Sequence, residues 1–269
     1  RVRSSAASDV YKRQIFSSEW IGLKYFREFF TDYRFAELLR NTIAISTLKM
    51  IFAFPVPIIL AILISECHNK PFKRLIQTAS YLPNFVSWVL VYGISSALLS
   101  QNSGVINQLL VKLGIVSQGI PFLTDPDYFW GTTVVLSIWK SSGWWAIIFL
   151  AAISGIDSTL YEAAGIDGAG RLKRIWHITL PGIMPMVIVM ATLSLGNVLN
   201  AGFDQIFNLY SPLTYSTGDI IDTYVYRQSL VNGQYSFGTA VGLFKSGIGL
   251  VLTVAAYKIA YRFAGYRIF

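Results

Sequence analysis

Five stretches of this chain, roughly residues 41–65, 76–100, 130–154, 182–203 and 238–260, are long enough and bare enough of charge to cross a lipid bilayer. A crossing helix needs about 20 mostly apolar residues. The first stretch carries only Lys49, the second no charge, the third only Lys140, the fourth none, and the fifth Lys245 with Lys258 at its end. Inside hydrocarbon each backbone N–H and C=O must find its partner within the segment, so these stretches are expected to be helices. Pro55, Pro57, Pro83 and Gly196 then mark bends at packed positions rather than breaks in the pattern. The composition, 54% hydrophobic and 13% charged with a mean hydropathy of +0.51, excludes disorder, collagen, coiled coil and most soluble enzymes. The expected class is an all-α, polytopic membrane protein with about five transmembrane helices.

The formal charge of +8 does not imply a nucleic-acid partner, because the bases lie between apolar runs instead of covering one face of a soluble fold. Their distribution instead gives an orientation. Lys70, Lys73, Arg74, Arg171, Lys173, Arg174, Lys258, Arg262 and Arg267 fall at one set of helix ends, against only Lys112 and Arg227 in the two opposite connections. The richer set is expected in the cytoplasm, with the carboxyl terminus. Asp125, Asp127, Asp219 and Asp222 then fall in outer connections, where they are expected to be solvated or to serve docking.

Residues 1–14 stand apart. Asp9-Val10-Tyr11-Lys12-Arg13-Gln14 resembles the translated end of a sequencing-library adaptor, so this stretch is expected to be an artefact or disordered, and a further span is expected upstream of residue 15. In residues 15–40, Phe26, Phe29, Phe30 and Tyr33 recur at helical spacing opposite Lys24, Arg27, Glu28 and Asp32, which predicts an amphipathic helix lying in the outer interface. Residues 41–269 make up the transmembrane domain.

One cysteine, Cys67, and two distant histidines, His68 and His177, provide neither a disulfide nor a metal cluster, and no nucleophile lies beside a base. No catalytic residue and no metal site is expected. An ionisable group within a span costs about 2.5 to 3.5 kcal/mol on insertion scales, so each needs a reason. Lys49 lies near the outer end and is expected to snorkel. Lys140 and Lys245 lie about 15 and 10 Å from the outer ends at 1.5 Å per residue, which makes them substrate-pathway candidates. The competing reading is a buried ion pair or a helix-to-helix hydrogen bond. Asn197, Asn200 and Asp204, at i, i+3 and i+7, predict one polar stripe near the end of the fourth span and join the pathway candidates. Phe203, Trp139, Trp144 and Trp145 offer faces for sugar rings, although aromatic residues also form interface belts.

The connection between the third and fourth spans, residues 157–181, is the most informative segment. Thr159 and Glu162 have the spacing of a capping box, so a short helix should begin here and reach about Ile166. Gly165, Gly168 and Gly170 permit an elbow into a second, basic helix, and Pro181 is expected to open the next span. Ala163, Ala164 and Gly165 leave little side-chain bulk beside Glu162, which makes a surface another protein's backbone can approach.

Glu162-Ala163-Ala164, then Gly168, Ile178 and Leu180-Pro181 at their spacings, resembles the EAA loop of permease subunits of binding-protein-dependent ATP-binding-cassette importers, whose fold is termed MetI-like. Asn41-Thr42, Tyr81-Leu82-Pro83 with Ser87-Trp88, Gly202-Phe203-Asp204-Gln205, Thr223-Tyr224-Val225-Tyr226-Arg227 and Ala240-Val241-Gly242-Leu243-Phe244 resemble its carbohydrate and complex-polysaccharide branch. The resemblance implies a subunit that passes sugars, in that branch as oligosaccharide or polysaccharide fragments, and is coupled to a cytoplasmic ATPase through residues 157–181. Glu162, Ala163, Ala164, Gly165, Asp167, Gly168, Ala169 and Pro181 are the implied coupling residues. A second permease subunit and an extracytoplasmic solute-binding protein are the other implied partners, with ATP and magnesium held by the ATPase. This chain has no phosphate-binding loop of its own. The alternative is an ion-gradient-driven secondary transporter, which would fit the lysines within the spans.

Overall fold

The computed structural model describes residues 20–264, and among them every regular element is helical. The adaptor-like residues 1–14 and Arg267 lie outside the described residues.

Helix α1, Lys24–Thr31, is the amphipathic helix expected at the front, but it ends at Asp32, whose carboxylate accepts the Arg34 backbone N–H at 2.8 Å and turns the chain. Residues 35–40, expected in that same helix, instead open the first long one, α2, Phe35–Ser65. The apolar face of α1 is also turned against protein. Phe29 is buried, with the Phe237 and Phe244 rings at centroid distances of 6.1 and 5.8 Å. Tyr33 lies past the helix end and is exposed.

Helix α2 passes through Pro55 and Pro57 without breaking. A helical proline lacks its N–H and crowds the carbonyl four residues back. A π turn at Lys49–Ala53, closed by the Phe54 N–H on the Lys49 carbonyl at 3.0 Å, supplies the extra room.

The crossing expected at 76–100, with a bend marked by Pro83, is sharply broken. Lys70–Phe85 (α3) and Trp88–Leu99 (α4) meet at a bend of 108°. The α-helical part of α3 ends at Tyr81, and the Leu82–Phe85 turn around Pro83 leads into an extended Val86. The Ser87 hydroxyl then accepts the Leu90 N–H at 3.4 Å and caps α4. Helix α5, Val105–Lys112, folds under the following connection, where the Asn107 carboxamide donates to the Ser100 and Ile120 carbonyls at 3.0 and 2.9 Å.

Helix α6, Pro126–Ser154, runs beside α2 in the same direction, since Ile45 shares a buried cluster with Phe129, and Ala61 shares another with Ala146 and Phe149. The segment between two parallel crossings must return across the membrane, so the bent pair α3–α4 forms one crossing. Helices α2, α6, Arg171–Gly196 (α8, after the short α7, Ser158–Ile166) and Tyr235–Ala264 (α12) supply the other four. The fourth span thus begins eleven residues before the predicted 182. The basic helix and the apolar one are continuous, and a π turn at Ile175–Thr179 accommodates Pro181 as the one in α2 accommodates Pro55. Small residues bring helices close where the crossings meet. A Cβ on Gly143 of α6 would collide with the Ser80 carbonyl, and one on Gly196 with the Thr253 hydroxyl of α12.

Residues 204–237, the outer connection that holds Asp219 and Asp222, are folded into Phe203–Leu209 (α9), Tyr215–Gly218 (α10) and Ile221–Tyr226 (α11). Ile206, Leu209, Ile220, Ile221 and Tyr224 are all buried. They join the clusters that contain Phe29, Leu38, Ile45 and Phe129. These apolar side chains alternate with polar ones too closely to read as a span, and their burial depends on α1, α2 and α6 arriving from elsewhere in the chain.

Candidate coupling elbow and membrane-depth cavities

The elbow at residues 157–181 is built by local chemistry. Helix α7 is capped by Asp157, whose carboxylate accepts the Thr159 N–H at 2.9 Å, and this bond holds the Asp157 pKa below its ordinary value. Thr159 lies inside the first turn, so the predicted Thr159–Glu162 capping box does not form. Helix α7 ends at Ile166, as its sequence predicts. Of the three glycines, only Gly168 takes a left-handed conformation, φ +71°, and the Ala169 N–H closes the end of the helix on the Ala164 carbonyl at 2.8 Å. Gly170 precedes α8 with ordinary extended angles.

Two contacts fix the elbow to the membrane domain. The Tyr161 hydroxyl lies 2.9 Å from Thr179 Oγ1, and Ile156 covers Gly182, where a Cβ would stand 2.6 Å from its Cδ1. Glu162, Ala163, Gly165, Asp167 and Gly168 are exposed, Ala164 and Ala169 half-buried. Pro181 is about three turns inside α8 at 3.6 residues per turn and does not open it. The same segment carries Leu160, Ile166, Leu172 and Trp176, all exposed, with Ile166 and Leu172 at 89% and 82%. Large apolar side chains so exposed beside Arg171 and Lys173 form a surface suited to a protein partner.

The three lysines of the spans have three different environments. Lys140 is buried at the midpoint of α6, about 21 Å from either end at 1.5 Å per residue. Its Nζ donates to the Asn84 carbonyl at 2.8 Å and stands 5.4 Å from the Trp88 ring centroid. It therefore occupies the α3–α4 bend, where a helix carboxyl end leaves carbonyls free and favours a cation. Lys245 pairs with Asp222. The pair lines a cavity of about 470 Å³ with Asn197, Asn200, Ser246 and Gly249. Asp222 is thus part of an ion pair and not a solvated loop residue.

Lys49 does not snorkel. Its Nζ donates to the Ala201 carbonyl at 2.7 Å and to Gln205 Oε1 at 2.6 Å, while Gln205 Nε2 donates to the Thr133 carbonyl at 2.7 Å. These acceptors exist because α8 ends at Gly196, and residues 197–202 cross between helices with carbonyls to satisfy. For the same reason the predicted stripe of Asn197, Asn200 and Asp204 is not one helical face. The Asn197 carboxamide caps α8 on the Leu193 carbonyl at 3.0 Å, and Asn200 lies in the following turn. Asp204 is exposed on α9, beyond the left-handed Gly202 at φ +96°.

A second cavity, of about 570 Å³, opens beside residues 197–202. Lys49, Ser46, Ser137, Ser141, Ser142, Ser194, Asn197 and Asn200 supply its polar wall, and Trp145, Phe54 and Phe149 its aromatic one. Of the predicted pathway residues, the structure brings Asn197, Asn200 and Lys245 together. It places Lys140 and Asp204 in the lining of neither cavity. Lys49 and Gln205 were not among the predicted pathway residues, although a lone cation in an apolar stretch is itself the signal that would have found Lys49.

At the α11 end, Asp219 is buried and paired with Arg227, also accepting from the Thr223 hydroxyl at 2.7 Å. The Asn41 carboxamide donates to the Asp219 carbonyl at 3.0 Å, and the Ile221 N–H donates to the Thr42 hydroxyl at 3.0 Å. Burial works against the Arg227 charge, but Asp219 and Tyr210 outweigh it and hold the guanidinium pKa above its ordinary value. Burial, reinforced by the Asp32 carboxylate that accepts its hydroxyl, pushes Tyr224 up to about 12. Asp219 is therefore a structural anchor for residues 204–237, contrary to the solvated role expected of it.

The chain is 47% identical to protein LplB of Bacillus subtilis (strain 168) over 91% of its length and 77% of that protein's. It is 43% identical to the polygalacturonan/rhamnogalacturonan transport system permease protein YteP of the same organism, over 93% and 77%. The solved structure of a bacterial alginate ABC transporter in complex with alginate pentasaccharide-bound periplasmic protein contains a chain of the same fold. Its TM-score is 0.86 at 38% identity, over 95% of this chain and 88% of that one. The family described as binding-protein-dependent transport system inner membrane component matches residues 53–264, which include the elbow, the whole lining of the smaller cavity and four of the five crossings in full. With that match and those identities, the chain belongs to the binding-protein-dependent transport system inner membrane components: it is a transport permease subunit and not an enzyme.

Proposed function

We propose that this permease subunit passes oligosaccharides or polysaccharide fragments inward and is driven by a cytoplasmic ATPase that grips α7. The observation that carries the coupling is the elbow. Glu162 stands exposed on a capped helix with little bulk at Ala163, Ala164 and Gly165, and the helix is tied to α8 through Tyr161 and Thr179. A pull on α7 is thereby transmitted to α8 and its Gly196 terminus, beside both cavities. Asp167, Gly168 and Ala169 shape the end of the coupling helix, and Pro181 lies where α8 receives the load. ATP and magnesium belong to the ATPase. Lys70, Lys73, Arg74, Arg171, Lys173, Arg174, Lys258 and Arg262 gather at the elbow's end of the bundle, so that end and the carboxyl terminus face the cytoplasm.

A second, similar permease completes the pathway, and a solute-binding protein delivers sugar to residues 101–129 and 204–237. The sugar assignment is supported by the serine, asparagine and aromatic lining of the larger cavity and by the names of the relatives. Family membership leaves nothing in favour of a gradient-driven secondary transporter.

Co-purification in detergent with the ATPase and second permease of the source operon tests the coupling. Wild type should be recovered as a stoichiometric complex, and Glu162→Lys should insert in the membrane yet lose the ATPase. Recovery of the ATPase at wild-type yield with Glu162→Lys would remove α7 as the coupling site.

A further inference from the structure

We infer that the larger cavity selects an anionic sugar, and that Lys49 is the residue that recognises its carboxylate. This rests on the sugar-transport reading above and narrows it to a substrate class. Among the described residues two ion pairs are present, Arg227–Asp219 and Lys245–Asp222; the second neutralises the cation of the smaller cavity, and Arg227 lines neither. Lys140 is committed to the Asn84 carbonyl and lies outside both linings. Lys49 alone brings an ammonium without a carboxylate partner to the wall of the 570 Å³ cavity. No aspartate or glutamate lines that cavity, and Asp204, near in sequence to Gln205, is exposed elsewhere.

Both acceptors of Lys49, the Ala201 carbonyl and the Gln205 carboxamide, are neutral. They orient the ammonium without cancelling its charge and leave its third N–H for a ligand. In a wall shielded from water, a net positive charge favours an anion far more than in bulk solvent. Gly202 keeps the approach open, since a Cβ there would stand 3.1 Å from Lys49 Nζ. Serine hydroxyls and the Asn197 and Asn200 carboxamides suit sugar hydroxyls, and Trp145 provides a ring face. A uronic acid unit has all three of these features: a carboxylate, hydroxyl pairs and an apolar ring face.

The test uses the complete importer in proteoliposomes, supplied with trigalacturonate or with its carboxyl-reduced counterpart galactotriose. Wild type is expected to take up trigalacturonate in preference. Lys49→Gln should lower the ratio of acidic to neutral uptake at least about tenfold, while Lys49→Arg should keep it. Ser141→Asp leaves Lys49 and its two acceptors in place but adds an opposing charge to the same wall, and should lower the ratio similarly. A wild-type preference for galactotriose, or an equal loss on both sugars in Lys49→Gln and Ser141→Asp, would overturn the inference and leave the sugar importer standing. Uptake of neither sugar by a complex that hydrolyses ATP would overturn the sugar reading, and the inference with it.

Discussion

Single residues hold this protein together where charge is buried or where the backbone takes an unusual turn. Asp219 and Arg227 illustrate the first, because removing one partner leaves the other charged and desolvated. Asp219→Ala should destabilise the detergent-solubilised protein by about 3 to 5 kcal/mol, read as a fall in the thermal unfolding midpoint. Asp222→Ala should cost less, since Asp222 is 21% exposed whereas Asp219 is 4% exposed and also accepts the Thr223 hydroxyl. An equal effect of the two would show that the α11 end is not the anchor its geometry implies. Gly168 and Gly202 illustrate the second. Alanine at either adopts a left-handed conformation at a cost of about 1 to 2 kcal/mol. At Gly168 nothing lies within 4 Å of the new Cβ, whereas at Gly202 Lys49 Nζ stands 3.1 Å away. Gly202→Ala should therefore destabilise more than Gly168→Ala, and the gap should close when Lys49 is also replaced by alanine.

Helices were legible in the sequence where a long apolar run decided them, and illegible where a distant contact did. The 130–154 and 238–260 stretches lie within α6, Pro126–Ser154, and α12, Tyr235–Ala264, because hydrophobic length alone specifies them. The bend between α3 and α4 was signalled by Pro83, but the Lys140 ammonium that meets the Asn84 carbonyl there comes from another helix and left no local mark. The end of α8 at Gly196 was hidden because Val198, Leu199 and Ala201 continue the apolar pattern, while Asn197 turns its carboxamide back on the helix. Spacing placed α7 correctly but assigned its cap to Thr159, since a capping-box search does not weigh a better acceptor two residues earlier. Asp157 gives that helix a pH signature. Its carboxyl titrates below the ordinary 3.8, so the cap is complete above that pH and is lost as pH falls through the folded-state value. Asp157→Ala should speed hydrogen exchange at the Thr159 amide at neutral pH, and an unchanged rate would show that the first turn is held by other contacts.

At the scale of the whole molecule, one end of the bundle carries the elbow and the other carries the folded segment 204–237, and the cavities lie between them at the break after Gly196. In the proposed coupling, that layout sets a lever against a gate. Helix α8 alone spans from the elbow to the break, so movement of α7 reaches Asn197 and Asn200 through one continuous helix of 26 residues. The layout holds only if the two ends face opposite sides of the membrane, which two exposed leucines can report. In a Cys67→Ser background, which removes the chain's one cysteine, Leu172→Cys marks the elbow and Leu230→Cys the far end. A membrane-impermeant maleimide should label Leu230→Cys in intact spheroplasts and Leu172→Cys only after permeabilisation. Adding the ATPase to permeabilised membranes should then suppress labelling of Leu172→Cys and leave Leu230→Cys unchanged, because the partner covers only the elbow. Labelling of both from outside would invert or fold back the topology, and labelling of Leu172→Cys indifferent to the ATPase would separate α8 from the drive.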